Sequence, residues 1–381
     1  MELIDLAAQY DRIGSAVRAR IARVFEHGRF VLGPEVQELE ERLAAMAGVR
    51  HCIGCSSGTD ALSLMLLAHG IGPGDAVFVP AFTFFATAEA VMLTGATPLF
   101  VDIDPGTCCM SSTDLERRIA ASRSAPLRPR MVIGVDLYGV IADYSALGPI
   151  CARHNLALIE DAAQSFGAGH QRQMSCSFGN GATTSFYPAK PLGGYGEGGA
   201  LFTGNTDLAD HLRSLRSHGY GDHPYDHRHV GMNARLDTLQ AAALCAKLDI
   251  FEDELRLRRE RADTYRRALK GICQVQTIPA AGRSSWAQFT IQVDARDAVR
   301  AFLQARGIPA AVHYPLPVPL QPACACLGQR AGEFPASEAA AARVLSLPLH
   351  PYLCTADQER VIEGVMAAVQ ACTNNRTDGS S

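Results

Sequence analysis

Residues 156–167 read LALIEDAAQSFG. Four aliphatic positions, Leu156, Ala157, Leu158 and Ile159, run unbroken into the acid pair Glu160–Asp161 and then into small and polar residues. A short continuous apolar run marks a strand buried on both faces, as in a parallel sheet covered by helices on each side. Neighbouring sequence keeps that reading. Similar runs stand at 76–80, 98–103, 131–137, 183–187 and 199–203. Helix-like stretches lie at about 58–69, 84–94, 113–122, 143–154 and 206–218. Another comes before them at 35–47, where Val36, Leu39, Leu43 and Met46 fall at helical spacing behind Pro34. Strands separated by helices predict an α/β unit with a largely parallel sheet, whose ligands gather at the carboxyl ends of the strands.

Past residue 234 the pattern changes. Residues 234–271 read as helical and increasingly charged, ending DELRLRRERADTYRRALKG at 253–271. That is too long and polar for a core helix, so it is expected to bridge to a second domain. The remainder predicts a smaller α+β unit. It has strands at 286–293 and 310–315, a helix at 297–306, and two helices near 336–345 and 356–371. The expected division is a large domain at 1–245, a small domain at 246–373 with the first dozen residues packed on it, and a disordered polar tail at 374–381.

Composition bounds the function. The 381 residues are 48% hydrophobic and 19% charged, which suits a folded chain with a sizeable core and excludes disordered, collagen-like and coiled-coil classes. The net charge of −4 offers no basic field for nucleic acid or a membrane surface. No apolar run reaches the roughly 20 residues of a membrane span, and the start, MELIDLAAQYDRIG, lacks the basic and apolar segments of a signal peptide. A cytoplasmic location is expected. Twelve cysteines, many lying singly in apolar runs such as Cys151, Cys245 and Cys273, read as reduced, buried thiols. Cys52 and Cys55 form a C-x-x-C, but no second pair follows, so no metal site is expected.

Three features carry chemistry. In SFYPAKPLGGYGEGGALFT (185–203), Lys190 sits in a turn dense in Pro and Gly, flanked by Tyr187, Pro188, Ala189, Pro191 and Leu192. A lone lysine is by default solvated. One held among apolar, rigid neighbours loses hydration and deprotonates more easily, and a neutral amine is what Schiff-base chemistry requires. Asp161 ends an aliphatic strand, where a carboxylate faces the ligand crevice; capping a following helix is the competing use. Gln164 follows three residues on as a neutral donor and acceptor. In SSGTDAL (56–62), Gly58 and Thr59 lie between a strand and a helix, a phosphate-binding arrangement, although ordinary capping by Ser57 or Thr59 would look the same. A phosphate cradle, a strand-end carboxylate and a desolvated lysine together are the parts that pyridoxal phosphate needs.

With these features in place, the sequence resembles the DegT/DnrJ/StrS group of pyridoxal-phosphate sugar aminotransferases over nearly its whole length. The resemblance is carried by FVLGPEV (30–36), SSGTDAL (56–62), VDIDP (101–105), LYG (137–139), IEDAAQSFGA (159–168), SFYPAK (185–190), GEGGA (196–200), GMNARLDTLQAA (231–242), VHYPLP (312–317) and LSLPLHPYL (345–353). It implies a fold type I pyridoxal-phosphate-dependent transferase with a large, mostly parallel α/β domain and a smaller α+β C-terminal domain. PAKPLGGYGEGG, YDHRHVGMNARLDTLQAA and HYPLP look closest to the subgroup that aminates UDP-2-acetamido-2-deoxy-3-oxo-glucuronate for surface polysaccharide.

By that resemblance, Lys190 would hold the cofactor as a Schiff base and relay a proton, and Asp161 would pair with the pyridine nitrogen. Gln164 would lie by the ring's phenolic oxygen and Phe84 would stack on its face. Gly58, Thr59 and Ser185 would bind the phosphate. Asn233 would reach the phosphate of a neighbouring subunit's cofactor, making a homodimer with shared sites. Arg235, His313 and Tyr314 would face the substrate. L-glutamate is the expected amino donor and a nucleotide-linked keto sugar the acceptor. The alternatives are a 4-keto or other 3-keto sugar aminotransferase, or a regulatory member of the family without turnover. Lys190 favours transamination, since a branch that removes a sugar hydroxyl has His there. Asp136, where relatives more often carry His or a small polar residue, adds a negative charge near the site.

Overall fold

The computed structural model describes residues 1–123, 126–223 and 225–378, with the backbone alone for 373–378. The chain opens with two helices, α1 (Leu6–His27) and α2 (Pro34–Ala47), and then enters the alternation expected of it. The strands are β1 (His51–Cys55), β2 (Asp75–Pro80), β3 (Thr97–Val101), β4 (Arg128–Val135), β5 (Ala157–Asp161), the short pair β6 (Gly169–His170) and β7 (Gln173–Met174), β8 (Gly181–Ser185) and β9 (Gly199–Thr203). The helices between them are α3 (Gly58–Ala68), α4 (Ala86–Leu93), α5 (Ser112–Ser122) and α6 (Tyr144–Arg153), and α7 (Thr206–Leu215) follows.

Seven strands form one sheet in the order β1-β9-β8-β5-β4-β2-β3. Strands β8, β5, β4, β2 and β3 pair in parallel, and β9 is antiparallel to both its neighbours. Register sets Asp161 level with Val135 on β4 and Thr183 on β8. The ends of β5, β8 and β1 and the turn after β2 therefore converge on one edge. The strands are apolar on both faces because both faces are covered. Ile53, Val77, Val79, Met131 and Leu201 pack with α3, α4 and α7, and Phe78, Val132 and Leu158 pack with α5 and α6.

The predicted 234–271 bridge is two helices. The first, α8 (Thr238–Leu248), is buried from Ala241 to Leu248 and packs on α1 and α2. The polar α9 (Phe251–Ala268) follows after a break at Asp249–Ile250. The residue 245 boundary falls inside α8. The rest is β10 (Gln274–Val275), β11 (Gly282–Arg283), β12 (Phe289–Gln292), α10 (Arg296–Gln304), α11 (Pro335–Arg343), β13 (Val344–Leu347) and α12 (Thr355–Asp378). Strands β10, β12 and β13 form a second, antiparallel sheet around Tyr265, Phe289, Ile291, Leu303, Leu345 and Val361. Strand β11 instead joins β6 and β7.

The strand expected at 310–315 does not form. Only Ala311 bridges, to Ser346, because Pro315 and Pro317 lack the N–H a ladder needs. Met1 packs against the small core, and the Leu3 carbonyl accepts the Leu349 N–H at 3.3 Å. Helix α12 continues through part of the stretch expected as tail, and residues 379–381 lie outside the described residues. Within described positions, residues 318–334 turn back to the large sheet. Val318, Cys324 and Phe334 share a core with Ile53 and Val77, and the Val318 N–H reaches the Ala81 carbonyl at 2.8 Å.

Candidate active site

Asp161 ends β5 with its carboxylate buried. One oxygen accepts the Thr87 hydroxyl at 3.0 Å and the other the Ala163 N–H at 3.2 Å. Turns follow it at 163–167, so the competing use as a helix cap has no helix to cap. Burial raises its pKa, against which the Ala163 N–H, the Thr87 hydroxyl and Lys190 all favour the charged form. Asp161 and Lys190 are therefore electrostatically coupled. Lys190 follows β8 in a turn closed by its own N–H on the Tyr187 carbonyl at 2.8 Å. The turn is tight, since a Cβ on Gly193 would stand 2.3 Å from the Pro188 carbonyl oxygen. Burial holds the Lys190 amine below the usual lysine range, and Asp161 opposes that shift.

Ser57 caps α3 by accepting the Asp60 N–H at 3.0 Å. Gly58 and Thr59 occupy the first turn, where N–H groups have no intrahelical acceptor. A Cβ on Gly58 would lie 2.7 Å from the Ser185 Cβ, so glycine lets the helix start press against the end of β8. The result is a cup of N–H groups and hydroxyls.

The remaining walls come from both halves of the chain. Phe84 is 54% exposed, unlike a core aromatic, and its ring centre is 5.9 Å from that of Tyr314. Gln164 accepts the Tyr138 N–H at 2.5 Å and donates to the Tyr314 hydroxyl at 3.2 Å. His313 Nδ1 lies 2.9 Å from the Ser346 hydroxyl. Burial, then Lys190, pushes His313 below the ordinary histidine range, so it is neutral at pH 7. Burial raises Tyr314, which keeps its proton.

Gly58, Thr59, Phe84, Asp161, Gln164, Ser185, Lys190, His313 and Tyr314 all line one cavity of about 490 Å³. Asn233 and Arg235 do not. They lie on the segment between α7 and α8, where the exposed Asn233 carbonyl oxygen accepts from the Arg235 guanidinium at 2.5 and 3.0 Å. Bridges from Asn233 to Ser217 and from Arg235 to Cys55 hold that segment beside β1.

The cavity also takes in residues that sequence reasoning missed: Thr83, Thr87, Tyr187, Glu197 and Gln288. Thr83 and Thr87 are four apart in TFFAT, a spacing that would have placed both on one face. Asp136 does not face the cavity. It is fully buried behind β5, hydrogen-bonded to the Glu160 carboxyl. Asp136 also accepts from the Ala142 N–H at 2.9 Å, the Tyr144 hydroxyl at 3.0 Å and the Ser165 hydroxyl at 2.7 Å. Glu160 accepts the Cys176 and Phe178 N–H groups at 2.8 and 2.9 Å. Burial raises both carboxyls, Asp136 to about 6, so the pair shares a proton and carries one charge rather than two.

The family model described as the DegT/DnrJ/EryC1/StrS aminotransferase family matches residues 11–366. A Pseudomonas aeruginosa protein named UDP-2-acetamido-2-deoxy-3-oxo-D-glucuronate aminotransferase is 47% identical over 357 residues, covering 93% of this chain and 97% of its own. A DegT DnrJ EryC1 StrS aminotransferase from Brucella abortus superposes with a TM-score of 0.94 at 48% identity, covering 96% of this chain and 99% of its own. DesV of S. venezuelae, solved in complex with a ketimine intermediate, superposes with a TM-score of 0.92 at 38% identity, covering 97% and 98%.

Proposed function

Since the chain belongs to the DegT/DnrJ/EryC1/StrS family of pyridoxal-phosphate-dependent nucleotide-sugar aminotransferases, we propose that its acceptor is UDP-2-acetamido-2-deoxy-3-oxo-glucuronate and its amino donor L-glutamate. The 47% identity to the Pseudomonas aeruginosa enzyme supports that acceptor. The carrying observation is the convergence of a buried carboxylate, a desolvated lysine and a helix-start cup on one cavity.

The donor set fits pyridoxal phosphate. Gly58 leaves no side chain between the first turn of α3 and Ser185, so N–H groups and a hydroxyl can surround a phosphate. Asp161, fixed by Thr87 and Ala163, has an anionic partner's role toward a pyridinium nitrogen. Phe84 offers an exposed ring face. When bound, the cofactor supplies an aldehyde carbon for the amine and an electron-withdrawing ring.

The chain's own residues then have distinct tasks. Desolvation favours the neutral form of the Lys190 amine, which would hold the cofactor through its aldehyde carbon and, once released, relay one proton. Asp161 would keep a proton on the ring nitrogen of the bound cofactor. Gln164, with its side-chain carbonyl oxygen engaged by Tyr138, donates its amide N–H to Tyr314 and would offer one to the ring's phenolic oxygen. Neutral His313 and protonated Tyr314 offer hydrogen bonds to the sugar without adding charge.

The active unit we propose is a homodimer in which Asn233 reaches the partner's phosphate cup and Arg235 faces an anionic substrate. The exposure of Phe25, Phe30, Val31 and Val230 on one chain supports a covered surface. No helix among the described residues is long and apolar enough to cross a membrane, and we place the enzyme in the cytoplasm. The test is the visible spectrum of the holoenzyme. L-glutamate should bleach its yellow band and the 3-oxo uronate should restore it. A band restored only by a 4-keto hexose would overturn the acceptor.

A further inference from the structure

The turn that follows β4 ties the two halves of the cavity together through one side chain. Tyr138 is fully buried, and its backbone is left-handed, with φ 61°. A bulky residue adopts that conformation only where its surroundings over-determine it. Its N–H donates to the Gln164 side-chain amide oxygen, Oε1, at 2.5 Å. Its hydroxyl donates to the backbone carbonyl of His313, from the small-domain half of the cavity. Thus one residue grips the cofactor side and the substrate side at once.

The surrounding bonds brace the same turn. The Ser285 N–H reaches the Gly139 carbonyl at 3.2 Å, and its hydroxyl reaches the Gln164 carbonyl at 2.8 Å. Gln276 donates to the Leu137 carbonyl at 2.9 Å. A Cβ on Gly139 would stand 2.4 Å from the Ser285 hydroxyl oxygen, so the two segments meet with no room for a side chain. The bonds to Gln164 and to His313 leave from different atoms of Tyr138, so they can be separated by substitution.

We infer that Tyr138 is a positioning residue whose hydroxyl holds the His313–Tyr314 segment in its sugar-facing pose, while its N–H independently fixes the amide orientation of Gln164. This rests on the reading of His313 and Tyr314 as acceptor contacts. A carbonyl deprived of its buried donor leaves the segment free to shift. The hydroxyl should therefore matter to the acceptor half-reaction and not to the donor half-reaction.

The experiment uses Tyr138→Phe, which keeps the ring, the burial and the N–H. Stopped-flow absorbance follows the two half-reactions of the holoenzyme separately, with L-glutamate and with UDP-2-acetamido-2-deoxy-3-oxo-glucuronate. Hydrogen–deuterium exchange of residues 310–317 is read on the same protein without substrate. The expected result is an unchanged rate of bleaching by glutamate, an acceptor KM raised about tenfold, and faster exchange confined to 310–317. Equal loss in both half-reactions would mean general damage and would overturn the inference. So would an unchanged acceptor KM in Tyr138→Phe beside a raised one in His313→Ala. If His313→Ala and Tyr314→Phe both left the acceptor KM unchanged, the underlying reading of the sugar site would fall first, and the inference with it.

Discussion

Lys190 and Asp161 are opposite charges whose surroundings disfavour both charged forms, and their attraction partly offsets that cost. Each is expected to be indispensable for its own reason. Lys190→Ala should lose the yellow band's dependence on a protein amine and reduce kcat by at least about 10³-fold, measured by absorbance and coupled assay. Asp161→Asn should bind cofactor yet turn over about 10²-fold more slowly, because an amide cannot hold the ring nitrogen protonated. The Asp136–Glu160 pair makes a different prediction. Burial raises Asp136 to about 6, above its unfolded value. Its favourable protonation is therefore present below about pH 4 and is lost as pH rises to about 6. Asp136→Asn removes the carboxyl that titrates near 6 and keeps a side-chain oxygen to accept in its place. The variant should gain on the wild type by on the order of 1–3 kcal/mol above pH 6 and lose that advantage at pH 4, read from melting curves across pH. The lysine and the strand-end acid were legible in sequence because their flanks are local. The shared proton was not, since it depends on β4 and β5 lying side by side.

At the scale of elements, the aliphatic runs predicted the parallel strands because a sheet covered on both faces needs apolar residues at every position. Where the environment was not local, the reading slipped. Helix α1 went unpredicted, its polar residues lying beside a partial apolar stripe. The break between α8 and α9 is marked by neither Gly nor Pro, only by Asp249 and Ile250. The 310–315 stretch looked like a strand from its β-formers, but Pro315 and Pro317 leave it irregular, and that irregularity turns His313 and Tyr314 toward the cavity. The contact between α3 and β8 yields a further test. Gly58→Ala should weaken cofactor binding at least about tenfold, measured by fluorescence titration, while circular dichroism stays native. The added Cβ would strike the Ser185 Cβ at the rim of the cup, not in the core.

For the whole molecule, the proposal of shared sites predicts complementation. Lys190→Ala and Asn233→Ala proteins, each inactive alone, should recover about a quarter of wild-type activity when unfolded and refolded as an equimolar mixture. Half of the dimers would be mixed, and one of two sites in each would be intact. Failure of the mixture to recover, with dimers confirmed by sedimentation, would show that Asn233 serves its own chain. Phe334 tests the link between the halves. Its ring packs in the large-domain core, 6.1 Å from that of Phe100, with the Arg118 guanidinium 4.4 Å from its centre. Phe334→Ala should cost about 3–5 kcal/mol in a single melting transition.

The return of residues 318–334 to the large sheet has a consequence for recombination among relatives. A graft that exchanged everything past residue 245 would import not only a new small unit but also a piece of the host's own interior. Val318, Cys324 and Phe334 would have to match the recipient's Ile53, Val77 and Phe100 in volume. Asp102 at the end of β3 would have to meet the donor's Ser337, whose N–H and hydroxyl it now accepts at 2.9 and 2.6 Å. Exchange past residue 245 is therefore expected to demand compensating changes at Ile53, Val77, Phe100 and Asp102.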